Sequence, residues 1–311
     1  MLPEEKPWRV EVIGLSSAGL FYLERLRLSD DICLVAAVDG DPGRRIRAAG
    51  MGCPLAEQPG SAISDATFFI EDLCASAVSA ALKCGQHVVI HRPWLLTPDE
   101  LQSLNDEAIA AGRTATTTCQ RRSSTDFSAA MTAIRTCRLG TLKSAHFLSY
   151  EQSIPVEGSF AGTVQEFGYH LLDQLLVMNG SSADSVFATR FGNGDKAPDT
   201  GFTAHIRFKN GSVAQIEVNT ASRLGYRSGW MLEGSSGSYR NDRIYTVVPD
   251  GEIVDEPLLP AAVPCDQFVH DLVATWRGAM TTLPTLNHVA DVIRVINAIE
   301  ESQTIGKSCN L

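Results

Sequence analysis

The chain has 311 residues, 44% of them hydrophobic and 20% charged. That is an ordinary globular balance at about two domains' length, far from the composition of disordered chains. A net charge of -10, from 36 acidic against 26 basic residues, repels phosphate backbones and anionic lipid, so neither nucleic acid nor a membrane is an expected partner.

The eight cysteines, Cys33, Cys53, Cys74, Cys84, Cys119, Cys137, Cys265 and Cys309, form no C-x-x-C pair, which argues for reduced thiols rather than a disulfide framework or a zinc knuckle. The stretch from Met1 to Trp8 has no apolar segment of signal-peptide length, and no run of about 18 apolar residues follows. A cytoplasmic protein without a transmembrane helix is therefore expected.

Residues 8–14 read as a β-branched strand ending in glycine, and Ala18 to Leu28 carry apolar residues at helical spacing. A second strand, Ile32 to Val38, stops at Asp39-Gly40-Asp41-Pro42, which favours a turn into a new helix. The pattern recurs: strand Ala66 to Ile70, helix Ala75 to Cys84 ending at Gly85, strand His87 to Ile90. Thr97-Pro98-Asp99-Glu100 reads as a capped helix start with proline first, running to about Ala111, and Thr114 to Cys119 gives one more strand. Alternating strands and helices imply a doubly wound parallel sheet over residues 1–122.

The rhythm changes over residues 123–311. Helices are expected at about Ser128 to Cys137 and Val164 to Met178, with a strand at Lys143 to Tyr150. Val186 to Phe191, Phe202 to Phe208, Val213 to Thr220, Gly229 to Glu233 and Ile244 to Val248 are strands separated by Asn-Gly, Gly-Ser and Pro-Asp-Gly turns. These imply an open, mostly antiparallel sheet in a second, α+β domain. The acidic stretch Asp250 to Glu256 reads as a solvated loop, and Leu286 to Ser302 as a closing helix.

The first strand leads into Gly14-Leu15-Ser16-Ser17-Ala18-Gly19, a G-x-S-x-x-G spacing. Gly14 allows a tight turn, Gly19 allows close helix-sheet packing, and the amides of Ser16, Ser17 and Ala18 at the helix start face an anion such as a pyrophosphate. By itself the spacing also fits an ordinary glycine-containing turn. Asp39, 20 residues after Gly19 at the end of the second strand, suits a ribose diol and repels a 2'-phosphate, which favours NAD over NADP as cofactor; Arg44 and Arg45 nearby keep NADP open.

Two further segments carry a family likeness. Leu82 to Pro93, through Gly85-Gln86-His87-Val88-Val89-Ile90-His91-Arg92-Pro93, resembles the helix-to-strand segment ending in Glu-Lys-Pro of the Gfo/Idh/MocA oxidoreductases. Gly162 to Asp173, with Glu166-Phe167-Gly168-Tyr169-His170-Leu171-Leu172-Asp173, resembles that family's G-G-x-x-x-D-x-G-x-H-x-x-D helix. Gln120-Arg121-Arg122, Gly140-Thr141-Leu142 and the terminal Ala298 to Leu311 match more weakly.

The resemblance implies an N-terminal Rossmann domain, a C-terminal α/β domain whose last helix (about 286–302) packs back on the first, and a homo-oligomer, dimer or tetramer. It implies NAD(P)-dependent hydride transfer to or from a small sugar-, cyclitol- or polyol-like substrate. It places Asp72, His91 and Pro93 beside the cofactor, and Arg92, Glu166, His170 and Asp173 at the reacting centre.

Departures from the pattern matter. Arg92 stands where the family has a catalytic lysine, and a guanidinium stays protonated near neutrality, so it can orient and polarise a substrate oxygen but not exchange its proton. Proton transfer then falls to His170, with Glu166 four residues earlier able to fix its tautomer. Glu71-Asp72 replaces the family's Thr-Pro after the third strand and brings two carboxylates to the cofactor site. A catalytically diverged family member, acting as a nucleotide- or sugar-binding sensor or scaffold, is the alternative; a lyase or glycosidase using transient oxidation is a third reading. His87 and His91 would be a metal pair only on a helix, and the residues between them read as strand, so no metal is expected.

Overall fold

A computed structural model of the chain describes residues 6–71, 73–150, 162–192, 199–224, 227–258 and 266–311. Two compact units result: one from Met1–Cys119 with Pro264–Ala290, the other from Gln120–Val263 with Asp291–Leu311.

The first unit is a six-stranded parallel sheet of β1 (Trp8–Ile13), β2 (Ile32–Val38), β3 (Leu55–Ala56), β4 (Ala66–Phe69), β5 (His87–Ile90) and β6 (Ala115–Thr117). Its order is β3-β2-β1-β4-β5-β6. The helices α1 (Ser17–Leu26), α2 (Pro42–Gly50), α3 (Ala75–Lys83) and α4 (Pro98–Ala110) make the crossovers. Central strands are buried on both faces, as parallel sheets covered by crossover helices require, and β4 and β5 are buried at every position. Chain order reverses at the neighbours β1 and β4, the switch point at which open α/β sheets leave a crevice. Local signals act as read: Thr97 and Glu100 form a reciprocal capping box at the start of α4, and Asp41 caps α2 by accepting the Arg44 N–H at 2.7 Å.

A helix over Gln267–Trp276, not anticipated from the sequence, completes this unit's core. Its Phe268, Val269, Leu272, Val273 and Trp276 bury against Tyr22, Leu23 and Leu26 of α1. The spacing of those five residues is helical.

The second unit is built on a nine-stranded mixed sheet. Its first strands are β7 (Leu142–Tyr150), β8 (Ala183–Gly192), β9 (Asp199–Phe208), β10 (Val213–Asn219) and β11 (Arg227–Gly234). Then come β12 (Ser238–Arg240), β13 (Arg243–Val247), β14 (Ile253–Pro257) and β15 (Cys309–Asn310). The order is β14-β13-β12-β11-β7-β10-β9-β8-β15, antiparallel except for the β7–β10 pair. Alternation is clean: Ala145, Phe147 and Ser149 of β7 are buried while their neighbours are not. The helices α5 (Thr125–Arg135) and α6 (Tyr169–Asn179) lie against β11 and β7.

The acidic stretch read as a loop overlaps the edge strand β14, exposed along its whole length. Its carboxylates are consistent with an edge that discourages pairing with other chains. The predicted closing helix runs over Leu286–Ile305, with Leu286–Ala290 grouped in the first unit and Asp291 onward in the second.

His87 settles one alternative. It is 5% exposed, its ring stands 5.4 Å from that of Trp8 and 5.6 Å from that of Trp276, and its Nδ1 accepts the Thr114 N–H at 3.0 Å. It is a core residue, with one ring nitrogen already occupied. Burial, then the Arg113 charge, pushes its pKa down to about 4 against the opposing pull of Asp65. Because the unfolded chain binds the proton from about pH 6.5 downward and the folded one only near 4, this histidine's contribution is complete above pH 6.5 and lost as pH falls toward 4. The loss amounts to roughly 3 kcal/mol. Urea titrations between pH 7 and 4.5 are expected to show His87→Asn less stable at pH 7 but with a shallower acid dependence than the parent chain. Parallel dependences would refute the assignment.

Candidate active site

At the carboxyl end of β1 the chain turns through Gly14, with φ of +91°. A side chain there would press on Glu71, whose N lies 2.6 Å from where a Cβ would stand. A Cβ on Gly19 would sit 2.1 Å from the Gly14 carbonyl oxygen, so the first turn of α1 rides directly on the turn that precedes it. Ser16 occupies the N-cap but its side chain caps nothing, and no acidic residue lies in the first turn. The N–H groups of that turn are therefore left for an outside acceptor. The Ser16 Oγ is buried and without a hydrogen-bond partner among the described residues, as expected of a donor that a phosphate oxygen would satisfy. These features fit a dinucleotide's pyrophosphate.

Asp39 follows β2 as the spacing predicts. Its side chain is 6% exposed; one oxygen accepts the Leu15 N–H at 2.6 Å and the other the Asp41 N–H at 2.7 Å. Burial opposes its ionisation, yet those two amides and the Arg44 charge hold its pKa below the usual carboxylate value. Arg44 also donates to Glu71 at 2.5 Å while standing 3.5 Å from Asp39. Glu71 thus turns toward Arg44, a contact sequence reading did not anticipate. Asp72 lies outside the described residues.

After β5, His91 donates its backbone N–H to the Phe69 carbonyl, and its Nδ1 lies 2.8 Å from the Thr118 Oγ1. Arg92 adopts the left-handed region, φ 59° and ψ 56°. For a long side chain that costs roughly 1–3 kcal/mol, strain that tends to gather at functional sites. Buried Pro93 then opens a short 3-10 turn, Pro93–Leu95.

In the second unit, the single helix expected from Val164 is interrupted. Val164–Gly168 form a π turn and α6 begins at Tyr169, a distortion often found where a helix carries function. Glu166 lies in the π turn and His170 in the first turn of α6.

His170 is partly buried and its ring makes no hydrogen bond among the described residues. Burial and the Arg121 charge push its pKa down to about 4 against the pull of Asp173. It is a neutral imidazole near pH 7, able to accept a proton.

Asp173, expected to line the same cleft, is instead 3% exposed and clamped by Arg122 through two bonds of 2.7 and 2.6 Å. Gln174 next to it accepts from the Trp230 indole at 2.9 Å and donates to the Arg121 carbonyl. Together these fix α6 against the turn that carries Arg121. A polar cavity of about 400 Å³ opens there, lined among others by Arg121, Ser124, Asp126, Ser149, Gln174 and Ser228.

The candidate residues therefore fall into two groups: the glycine turn, Asp39 and His91 to Pro93 in the first unit, and Glu166, His170 and Asp173 in the second. Arg44, Glu71, Arg121 and Arg122 join them as partners. Among the described residues no group of three His, Cys, Asp or Glu side chains is placed to hold a metal ion, and no helix is long and apolar enough to cross a membrane.

Residues 127–240 match the family model described as the GFO/IDH/MocA C-terminal domain. The chain is 25% identical over 239 residues to an uncharacterized oxidoreductase, YhhX, of Escherichia coli K12, covering 73% of this chain and 66% of that protein. It is 24% identical over 186 residues to the 1,5-anhydro-D-fructose reductase of Ensifer adhaerens, covering 56% and 55%. The chain thus spans just under two thirds of the first relative and little over half of the second. Among solved structures, an NAD-binding protein from Listeria innocua superposes with a TM-score of 0.83 at 21% identity, covering 99% of this chain and 100% of that one.

The Arg122–Asp173 pair, with side chains 9% and 4% exposed, makes a separate prediction. Breaking a buried ion pair from one side strands the other charge. Asp173→Asn is expected to lower unfolding free energy by about 3–5 kcal/mol in urea, while the apolar double variant R122M/D173L recovers much of it. A cost under about 1 kcal/mol for the single variant would show the pair to be dispensable.

Proposed function

We propose that this chain, which belongs to the Gfo/Idh/MocA oxidoreductase family, is an NAD-dependent dehydrogenase or reductase acting on a small polyhydroxylated substrate of the sugar, cyclitol or polyol type. The observation that carries the reading is the buried Ser16 hydroxyl, without a hydrogen-bond partner among the described residues, at the uncapped start of α1, beside two glycines whose side-chain space is taken by backbone. Bound nicotinamide supplies the hydride donor or acceptor. The remaining work is done by side chains of this chain.

The amides of Ser17, Ala18 and Gly19 and the Ser16 hydroxyl hold the pyrophosphate, and Asp39 accepts from the adenosine ribose diol. His91 and Pro93 border the cofactor. His170 takes the hydroxyl proton as the alcohol carbon loses hydride and returns it in the opposite direction. Its depressed pKa keeps it in the accepting form at neutral pH, which favours oxidation of an alcohol. Arg92 orients the substrate oxygen and Glu166 orients His170; Asp173, committed to Arg122, positions α6.

The hydroxyl-rich cavity of about 400 Å³ is of the size that takes a monosaccharide, and Arg121 both lines it and acts on His170. The sheet face on which Phe187 and Val213 stand 40% and 47% exposed is available for a homodimer or tetramer.

A second reading, a ligand-binding protein without turnover, is favoured by Arg92 in the lysine position. Fluorescence titration with NADH and a turnover panel of polyols and their carbonyl forms separate the two. Saturable NADH binding with NAD-linked turnover that falls at least 100-fold in His170→Ala is the expected result. Binding without turnover on any panel member would favour the second reading, and no binding would end the first.

A further inference from the structure

The geometry points to Glu71 as the residue that sets discrimination between NAD and NADP, acting through Arg44. The inference rests on the cofactor reading above.

β2 and β4 flank β1 on either side. Asp39 follows the end of β2 and Glu71 the end of β4, so one carboxylate stands on each side of the glycine turn. Glu71 is held close to that turn: its N and Cβ lie 2.6 and 2.7 Å from where a Cβ on Gly14 would stand. Arg44 spans the two carboxylates, 2.5 Å from Glu71 and 3.5 Å from Asp39.

Three charged groups therefore sit at the carboxyl edge of the sheet, where a dinucleotide's adenosine end is held. Two are negative and one is positive. A ribose diol needs acceptors, and Asp39 supplies them with its carboxylate held ionised. A 2'-phosphate needs a cation with free donors. Arg44 is the candidate on α2, but Glu71 holds it, and the group's net charge of minus one repels a phosphate dianion. Arg45, the next residue, makes no ion pair among the described residues and is the other cation a phosphate could use.

Asp39 alone can disfavour NADP in this fold; Glu71 adds to it by occupying the arginine that would otherwise offset Asp39. Converting Glu71 to an uncharged isostere frees Arg44 and makes the trio neutral.

The test is equilibrium binding of NADH and NADPH, by fluorescence or calorimetry, to the parent chain, Glu71→Gln, Arg44→Gln and the double variant. Circular dichroism establishes that each is folded. The expected result is an NADH preference in the parent chain and a Kd ratio, NADPH over NADH, that falls about 10-fold in Glu71→Gln, the value of one charge-assisted hydrogen bond. The double variant should lose that gain.

An unchanged ratio in Glu71→Gln, with NADH still bound by the parent chain, overturns the assignment of Glu71 alone. A gain that persists in the double variant overturns the route through Arg44 and points to Arg45. If neither dinucleotide binds the folded parent chain, the cofactor reading fails and this inference falls with it.

Discussion

The constraint on which the first unit's candidate site depends is the contact between Gly19 and the carbonyl of Gly14, where no side-chain atom can fit. It brings the first turn of α1 down onto the end of β1 at the switch point of the sheet. The helix's unpaired amides and its positive dipole end then open onto the crevice between β1 and its neighbours. Ser16 fills the middle position of the motif with a hydroxyl that is itself a donor; buried without a partner among the described residues, it is costly unless an acceptor reaches it.

Charge is arranged in two different ways. In the first unit Asp39 is buried but its partners Arg44 and Glu71 are partly exposed, so the Arg44–Glu71 pairing can be traded for a ligand at modest cost. In the second, Arg122 and Asp173 are nearly dry and doubly bonded, an arrangement too costly to open during a catalytic cycle. The first is open to rearrangement, and the second is a clamp holding the helix that bears His170.

How much of this was legible in the sequence depended on whether the signal was local. The βα alternation, the Thr97–Glu100 capping box and the turn at Gly14 are local and were readable. The long strands β7, β9 and β10 were also readable, through their alternation. The helix Gln267–Trp276 had its apolar stripe in plain view, but in sequence it follows β14 of the second sheet while its core partners include α1, so no local rhythm announced it. β14 reads as a loop because its residues are exposed and acidic, and edge strands lack the buried face that produces alternation. The π turn at Val164–Gly168 leaves the apolar spacing almost unchanged, so periodicity could not separate it from α-helix. The Arg44–Glu71 contact joins residues 27 apart and no pattern encodes such a pairing.

The two histidines with depressed pKa values show why titration alone does not mark a site. Both His87 and His170 are held near 4 chiefly by burial, each with an arginine charge pushing the same way and an aspartate opposing. His87 is packed against two tryptophan rings and spends its Nδ1 on a backbone amide, so the neutral form is simply the one the core can hold. His170 spends neither nitrogen on a described residue, and it stands at a break in helix geometry beside an arginine that also lines a polar cavity. The same electrostatic outcome serves stability in one place and leaves a proton acceptor available in the other. What separates them is the partner set of the ring nitrogens, and that is fixed by tertiary packing rather than by spacing along the chain.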